Sequence, residues 1–69
     1  MDFDRVEWYA GYRGEEKPAA VWVGGSRIEV TEILWQKRIR ESRSGRAREV
    51  FLCRLAGGQQ VRIEKALEE

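Results

Sequence analysis

A chain of 69 residues has room for one hydrophobic core and no second domain. Its single cysteine excludes an internal disulfide, and the absence of histidine excludes a zinc site built from nitrogen and sulfur ligands. The net charge is +1 and 36% of the residues are charged, but the apolar residues recur in periodic runs, which argues against disorder.

The composition also points to a compartment. The amino terminus is acidic and short of apolar residues, unlike a signal peptide, and no apolar run reaches the roughly 20 residues of a membrane span. A lone cysteine is compatible with a reducing environment. We therefore expect one soluble, cytoplasmic domain over residues 1–69, with no membrane and no metal among its partners.

The first predicted element is a β-strand over roughly 5–12, where apolar and polar residues alternate with a period of two. Gly11 interrupts this alternation, and a glycine inside a strand is typical of a bulge. The polar segment Arg13 to Pro18 is expected to form a loop or a sheet edge. Pro18 suits the first position of a strand, because its missing N–H is not needed there.

Gly24-Gly25 is the centre of a predicted β-hairpin with arms over roughly 19–24 and 27–39. A two-residue loop would pair Val23 with Ser26, whereas a four-residue loop would pair Val23 with Ile28. The sequence leaves both registers open. Both place the same side chains on one face, namely Val21, Val23, Ile28 and Val30, and leave Trp22, Arg27 and Glu29 on the other.

The second arm of this hairpin changes phase near its middle. Ile28 and Val30 are even-numbered, whereas Ile33 and Trp35 are odd-numbered, so a period of two requires an irregularity near 31–32. A long strand that bends at this point can serve two sheets.

A helix is the competing interpretation of residues 28–41. Ile28, Glu32, Trp35 and Ile39 recur at helical spacing. The β-branched residues that crowd the same segment count against it.

Two further strands are predicted after a polar loop at 41–46, over roughly 47–55 and 60–65, followed by a tail at 65–69. Gly57-Gly58 marks the turn between them. A three-residue loop, 57–59, would place Cys53 opposite Ile63, and it is preferred over a two-residue loop because it pairs apolar with apolar residues.

Together these elements predict an all-β domain of about five antiparallel strands in a meander, forming a small barrel or a strongly bent sheet. The predicted core consists of Val6, Trp8, Val21, Val23, Ile28, Val30, Ile33, Trp35, Phe51, Cys53, Leu55, Val61 and Ile63.

The segment 9–18 resembles the opening of a family of small uncharacterised bacterial cytoplasmic proteins, which reads Tyr-x-Gly-Tyr, a basic residue, then Glu-x-Pro. The carboxyl half departs from that pattern, because Gly57-Gly58-Gln59-Gln60 stands where the family has an acidic turn and a tyrosine. The resemblance implies a small β-rich cytoplasmic domain and points to no chemistry. The matching residues are Tyr9, Gly11, Tyr12, Arg13, Glu16 and Pro18 in the opening, and Val30, Glu32, Ile33 and Leu34 in a later strand.

The strongest electrostatic feature is the basic segment 37–48, which carries six basic residues and one acidic residue. On a hairpin these side chains could neutralise phosphates, and an exposed Trp22 beside Arg27 could stack on bases. The alternative is a solvated hairpin whose charges keep a flat edge from pairing with neighbours. The basic residues are Lys37, Arg38, Arg40, Arg43, Arg46 and Arg48.

The sequence gives little support for catalysis. No histidine is present to activate a serine, and a domain this small offers little cleft in which the pKa values of its glutamates would be shifted. Cys53 alternates with Phe51 and Leu55, which is typical of a buried apolar residue. We therefore expect a non-catalytic interaction module without a cofactor, which binds a protein partner or a second copy of itself. The alternative is single-stranded nucleic-acid binding through the basic segment and exposed aromatics.

Overall fold

The computed structural model describes residues 3–11 and 16–67, and it confirms the predicted all-β fold. One five-stranded antiparallel sheet, with its strands in chain order, curls into a half-barrel. The helical interpretation of residues 28–41 is wrong, because residues 28–29 pair with β2 and residues 30–40 form a strand that pairs with β4. The strands are β1 (Arg5–Ala10), β2 (Glu16–Val23), β3 (Ser26–Arg40), β4 (Ala47–Leu55) and β5 (Gln60–Leu67).

The β2–β3 hairpin has the two-residue loop. Val23 lies opposite Ser26 and Val21 opposite Ile28, so the four-residue alternative is wrong. Gly24 and Gly25 have φ values of 56° and 85°, and two successive positive φ values define a type I′ turn, which matches the twist of the flanking strands. The Gly24 N–H also donates to the Asp4 carboxylate at 2.9 Å, which ties the turn to the start of the chain.

The predicted irregularity near 31–32 is confirmed. Leu55 and Arg54 are neighbours on β4, but they lie opposite Val30 and Glu32, so Thr31 is an extra residue in β3. The Thr31 hydroxyl donates to the Arg54 carbonyl at 3.1 Å, which gives this bulge a side-chain partner.

A second irregularity lies only three residues further on. Ile33 is opposite Cys53 and Trp35 is opposite Leu52, so Leu34 is a second extra residue. An extra residue reverses the facing of every residue after it. The prediction that Trp35 belongs to the core is therefore wrong: its side chain lies on the outer, convex face and is 45% exposed.

The core lies on the inner, concave face of the half-barrel, and apart from Trp35 the predicted core residues are confirmed as buried or packed against the core. The ring of Trp8 packs edge-on against Phe51, with centroids 5.8 Å apart. Burying a large apolar side chain completely stabilises a fold by about 1.5–3 kcal/mol. The fully buried centre is formed by Val21, Phe51, Cys53, Leu55, Val61 and Ile63.

In the last hairpin, β4–β5, the pairing register differs from the predicted register by two residues. Cys53 lies opposite Val61, and Phe51 lies opposite Ile63. The loop has three residues as expected, but it spans 56–58, because the Leu55 N–H donates to the Gln59 carbonyl at 2.7 Å. β5 extends to Leu67, so residues 66 and 67, which were predicted as part of a tail, belong to a strand. Residues 68 and 69 lie outside the described residues.

The first hairpin is shorter than predicted, since β1 ends at Ala10. Its irregularity lies between Glu7 and Trp8, where Ala19 is an extra residue of β2, and not at Gly11. Pro18 lies inside β2 opposite Trp8, next to this bulge, where a missing N–H is tolerated. The predicted loop residues 13–15 lie outside the described residues.

The glycine turn gives a direct test of the hairpin. Gly24→Asn should leave the free energy of unfolding unchanged within about 0.5 kcal/mol, because asparagine is favoured at the first position of a type I′ turn. Gly25→Val should lower it by about 1–3 kcal/mol, because a β-branched residue is strained at positive φ. Urea unfolding of both variants measures the difference, and equal losses in both would contradict the assigned turn.

Candidate interaction surface

The pairing of β3, β4 and β5 defines what the outer face carries, because directly opposed residues of antiparallel strands share a face. Three cross-strand rows follow one another toward the end of β3. They are Trp35–Leu52–Arg62, Lys37–Val50–Glu64 and Ile39–Arg48–Ala66.

The middle of this face is apolar. Trp35 is 45% exposed, whereas Val50 is only 1% exposed and lies beneath its neighbours. Ile39 and Leu52 are half-buried. We call the surface formed by Trp35, Ile39 and Leu52, with Val50 beneath it, the outer patch.

Charged side chains surround the outer patch. Arg54 pairs with Glu32 at 2.8 Å, and Arg48 and Arg62 share the Glu64 carboxylate at 3.4 and 3.5 Å. Lys37 forms no ion pair within residues 3–11 and 16–67. Four basic side chains therefore face two acidic ones around the patch, which leaves this face positively charged.

The two predicted binding residues of the first hairpin lie elsewhere. Trp22 and Arg27 are paired on the outer face at the glycine-turn end of β3, whereas the turn at 41–46 follows its other end. The longest dimension of the protein is 38 Å, and β3, with its 15 residues, extends along most of it. Trp22 and the basic segment are therefore not brought together on one surface.

Both of these side chains also have partners of their own. The Arg5 guanidinium stacks on the Trp22 ring at 4.6 Å from its centroid. Arg27 forms an ion pair with Glu7, and the hydrogen bond and charge of that carboxylate raise the pKa of Arg27. One face of the Trp22 ring is thus covered, which weakens the case for base stacking there.

Strand alternation divides the predicted basic segment between two faces. Lys37 and Arg48 lie on the outer face, whereas Arg38 and Arg40 lie in rows of the inner face. Arg43 and Arg46 lie in the connecting turn, where the Glu41 N–H donates to the Arg46 carbonyl at 2.8 Å. The six basic residues therefore do not form one continuous patch.

The inner face has a polar end that sequence reasoning did not find. Glu49 is only 8% exposed, accepts a hydrogen bond from the Gln36 amide at 2.8 Å and lies 3.6 Å from Arg38. Lys65 pairs with Glu16 at 3.5 Å, and both side chains line a cavity of about 230 Å³. Among the described residues no buried side-chain nitrogen or oxygen lacks a hydrogen-bond partner, so this network supports the open end of the half-barrel.

The remaining chemically reactive group is buried. Burial raises the pKa of the Cys53 thiol from 9.0 to about 11, so the thiol stays protonated at neutral pH and packs as an apolar side chain, as predicted. Within residues 3–11 and 16–67, the His, Cys, Asp and Glu side chains form no group of three that could hold a metal ion. The same residues form no helix of the length and apolarity that crossing a membrane requires.

In comparisons with known proteins, no family model, curated protein or solved structure matches this chain. The function is therefore inferred from the geometry of the outer patch and from the charges around it.

The two tryptophans that the sequence placed together in the core give a test of this surface. Trp8→Ala should lower the free energy of unfolding by about 3 kcal/mol, because it removes the ring that packs on Phe51. Trp35→Ala should lower it by about 1 kcal/mol or less, because nearly half of Trp35 is already in water. Urea unfolding compares them, and a larger loss at Trp35 would contradict its outward position.

Proposed function

We propose that this protein is a non-catalytic interaction module that binds a protein partner through the outer patch. The observation that carries the proposal is the exposed Trp35 ring, which lies beside Leu52 at one end of an apolar surface with a charged rim. Protein interfaces have this arrangement, and tryptophan is among the residues that contribute most to binding. A tryptophan left in water on a sheet face adds little to the stability of such a small domain.

The sheet beneath the patch favours tight binding. Leu52 lies directly opposite Trp35, and Val50 is buried below them. Leu52 and Val50 stand on β4, whose backbone is paired with β3 on one side and with β5 on the other. A surface that is ordered before binding loses less conformational entropy when a partner docks.

The charges around the patch define the chemistry of the partner. Because Lys37 has no ion pair with any described residue and basic side chains outnumber acidic ones around the patch, the partner should offer an apolar side chain flanked by carboxylates. The free, buried cysteine agrees with a cytoplasmic partner.

A photo-crosslinking amino acid placed at Trp35 tests this proposal, with the same substitution at Trp22 as the matched control. We expect position 35 to capture a protein in the cells that make this chain, and position 22 not to capture it. The captured protein, once identified and purified, should bind Trp35→Ala at least about tenfold more weakly than wild type. Equal binding of wild type and Trp35→Ala would rule out the outer patch as the docking surface.

Single-stranded nucleic acid is the second candidate partner. The observation that favours it is that Lys37, Arg43 and Arg46 have no ion pairs within the described residues, while the Trp35 indole is exposed on the face that carries Lys37. Base stacking on an aromatic ring together with cations near the phosphates is the usual arrangement of such sites. If nucleic acid is the partner, Trp35 is the side chain that stacks on bases, the role that the sequence analysis gave to Trp22.

Titration of a labelled mixed oligonucleotide separates the two candidates. Binding to nucleic acid should weaken steeply between roughly 50 and 200 mM salt, and Arg43→Ala with Arg46→Ala should reduce the salt dependence. Trp35→Ala should weaken binding by about 1–3 kcal/mol. No detectable binding at roughly 50 mM salt would remove nucleic acid as a partner.

A further inference from the structure

The outer edge of β5 is an unpaired strand edge. β5 is the last strand in the sheet order, and among residues 3–11 and 16–67 it pairs with β4 alone. The register of that pairing runs from Gln60 to Leu67 without a shift, and the strand contains no proline. A regular edge of this length is a template for a further strand.

The pairing with β4 determines which backbone groups face outward. The Leu55 N–H donates to the Gln59 carbonyl, and these residues belong to the same register as the rest of the β4–β5 ladder. Bonded pairs in an antiparallel ladder recur at every second residue. The odd-numbered residues of β5 therefore bond to β4, and the even-numbered residues direct their N–H and C=O groups to the free edge.

The side chains of these even-numbered residues include one charge of each sign. Arg62 and Glu64 are 61% and 50% exposed. If a second copy of β5 pairs antiparallel about a two-fold axis at Ile63, Arg62 lies opposite Glu64 of the second copy, and the same contact forms again by symmetry. A shift of two residues in either direction instead places Arg62 against Arg62 or Glu64 against Glu64.

We propose that two copies of this chain join edge to edge through β5, in the register centred on Ile63. The occupant is a second copy because charge complementarity selects one register and the outward backbone groups match in that register. The two half-barrels then form one continuous sheet, with both outer patches on the same side. This contact needs no partner on the apolar part of the outer patch, although Arg62 and Glu64 also belong to the charged rim of the patch.

The other free edges among the described residues are less suitable. Residues 30–40 of β3 pair with β4 alone within the described part of the chain, but bulges at Thr31 and Leu34 leave only residues 35–40 as a regular edge, which is shorter than β5. β1 has six residues, and its ladder with β2 shifts register between Glu7 and Trp8. A bulged and short edge resists pairing with another chain.

Sedimentation equilibrium from about 10 μM to about 1 mM tests the proposal. The wild-type chain of 8.1 kDa should reach twice that mass with rising concentration. Arg62→Glu and Glu64→Arg should each lower the association constant by about tenfold or more, because each creates two like-charge contacts. Mixing these two variants should restore a dimer, since each then supplies the charge that the other needs.

Controls separate this contact from other modes of association. Arg43→Glu makes the same change in net charge as Arg62→Glu but lies in the turn at 41–46, so it should leave the dimer intact. Trp35→Ala should also leave it intact, because Trp35 lies on β3 and β4 separates it from β5. Ala66→Pro should abolish the dimer while circular dichroism shows a folded monomer, since the Ala66 N–H faces outward.

Three results would overturn the proposal. One is a wild-type chain that stays monomeric at about 1 mM. Another is a dimer that Arg62→Glu leaves unchanged or that Trp35→Ala dissociates. The third is an equimolar mixture of folded Arg62→Glu and Glu64→Arg chains that remains monomeric.

Discussion

The two bulges of β3 are the constraint on which the rest of the structure depends. This strand pairs with β2 over its first part and with β4 over the remainder, so both parts of the half-barrel are joined through it. Thr31 and Leu34 are extra residues, and each one reverses the side chains that follow. The bend turns Ile28 and Ile33 toward one core, although they stand in opposite phases of the sequence.

The same geometry determines what the half-barrel presents to solvent. With one bulge, Trp35 would have entered the core and Gln36 would have faced outward; with two, Gln36 turns inward to Glu49 and Trp35 is exposed. The inner face thus changes along its length from an apolar core to a network of ion pairs and an amide. The outer face gains an apolar centre, and this exchange is the physical origin of the proposed docking surface.

Many charged side chains of this protein form ion pairs within the sheet. Arginines across the sheet are paired with glutamates on other strands. Arg54 of β4 pairs with Glu32 of the neighbouring β3, and Arg27 of β3 pairs with Glu7 of β1 across β2. Exposed pairs of this kind contribute about 0–1 kcal/mol each, so their effect lies mainly in fixing strand register and in deciding which cations stay free for a partner. Lys37, beside the outer patch, is a cation without an ion pair in the part of the chain that the structure describes.

The sequence by itself determined the all-β class, the five strands, the position of the Gly24-Gly25 turn and most of the core, because period-two alternation and glycine pairs are local signals. It misplaced Trp35 and the last register, and it grouped basic residues that strand alternation separates. Only the tertiary structure decided these points. A bulge exists through pairing with a second strand, so the residue at which β3 changes face depends on Leu52 and Cys53, which lie far along the chain.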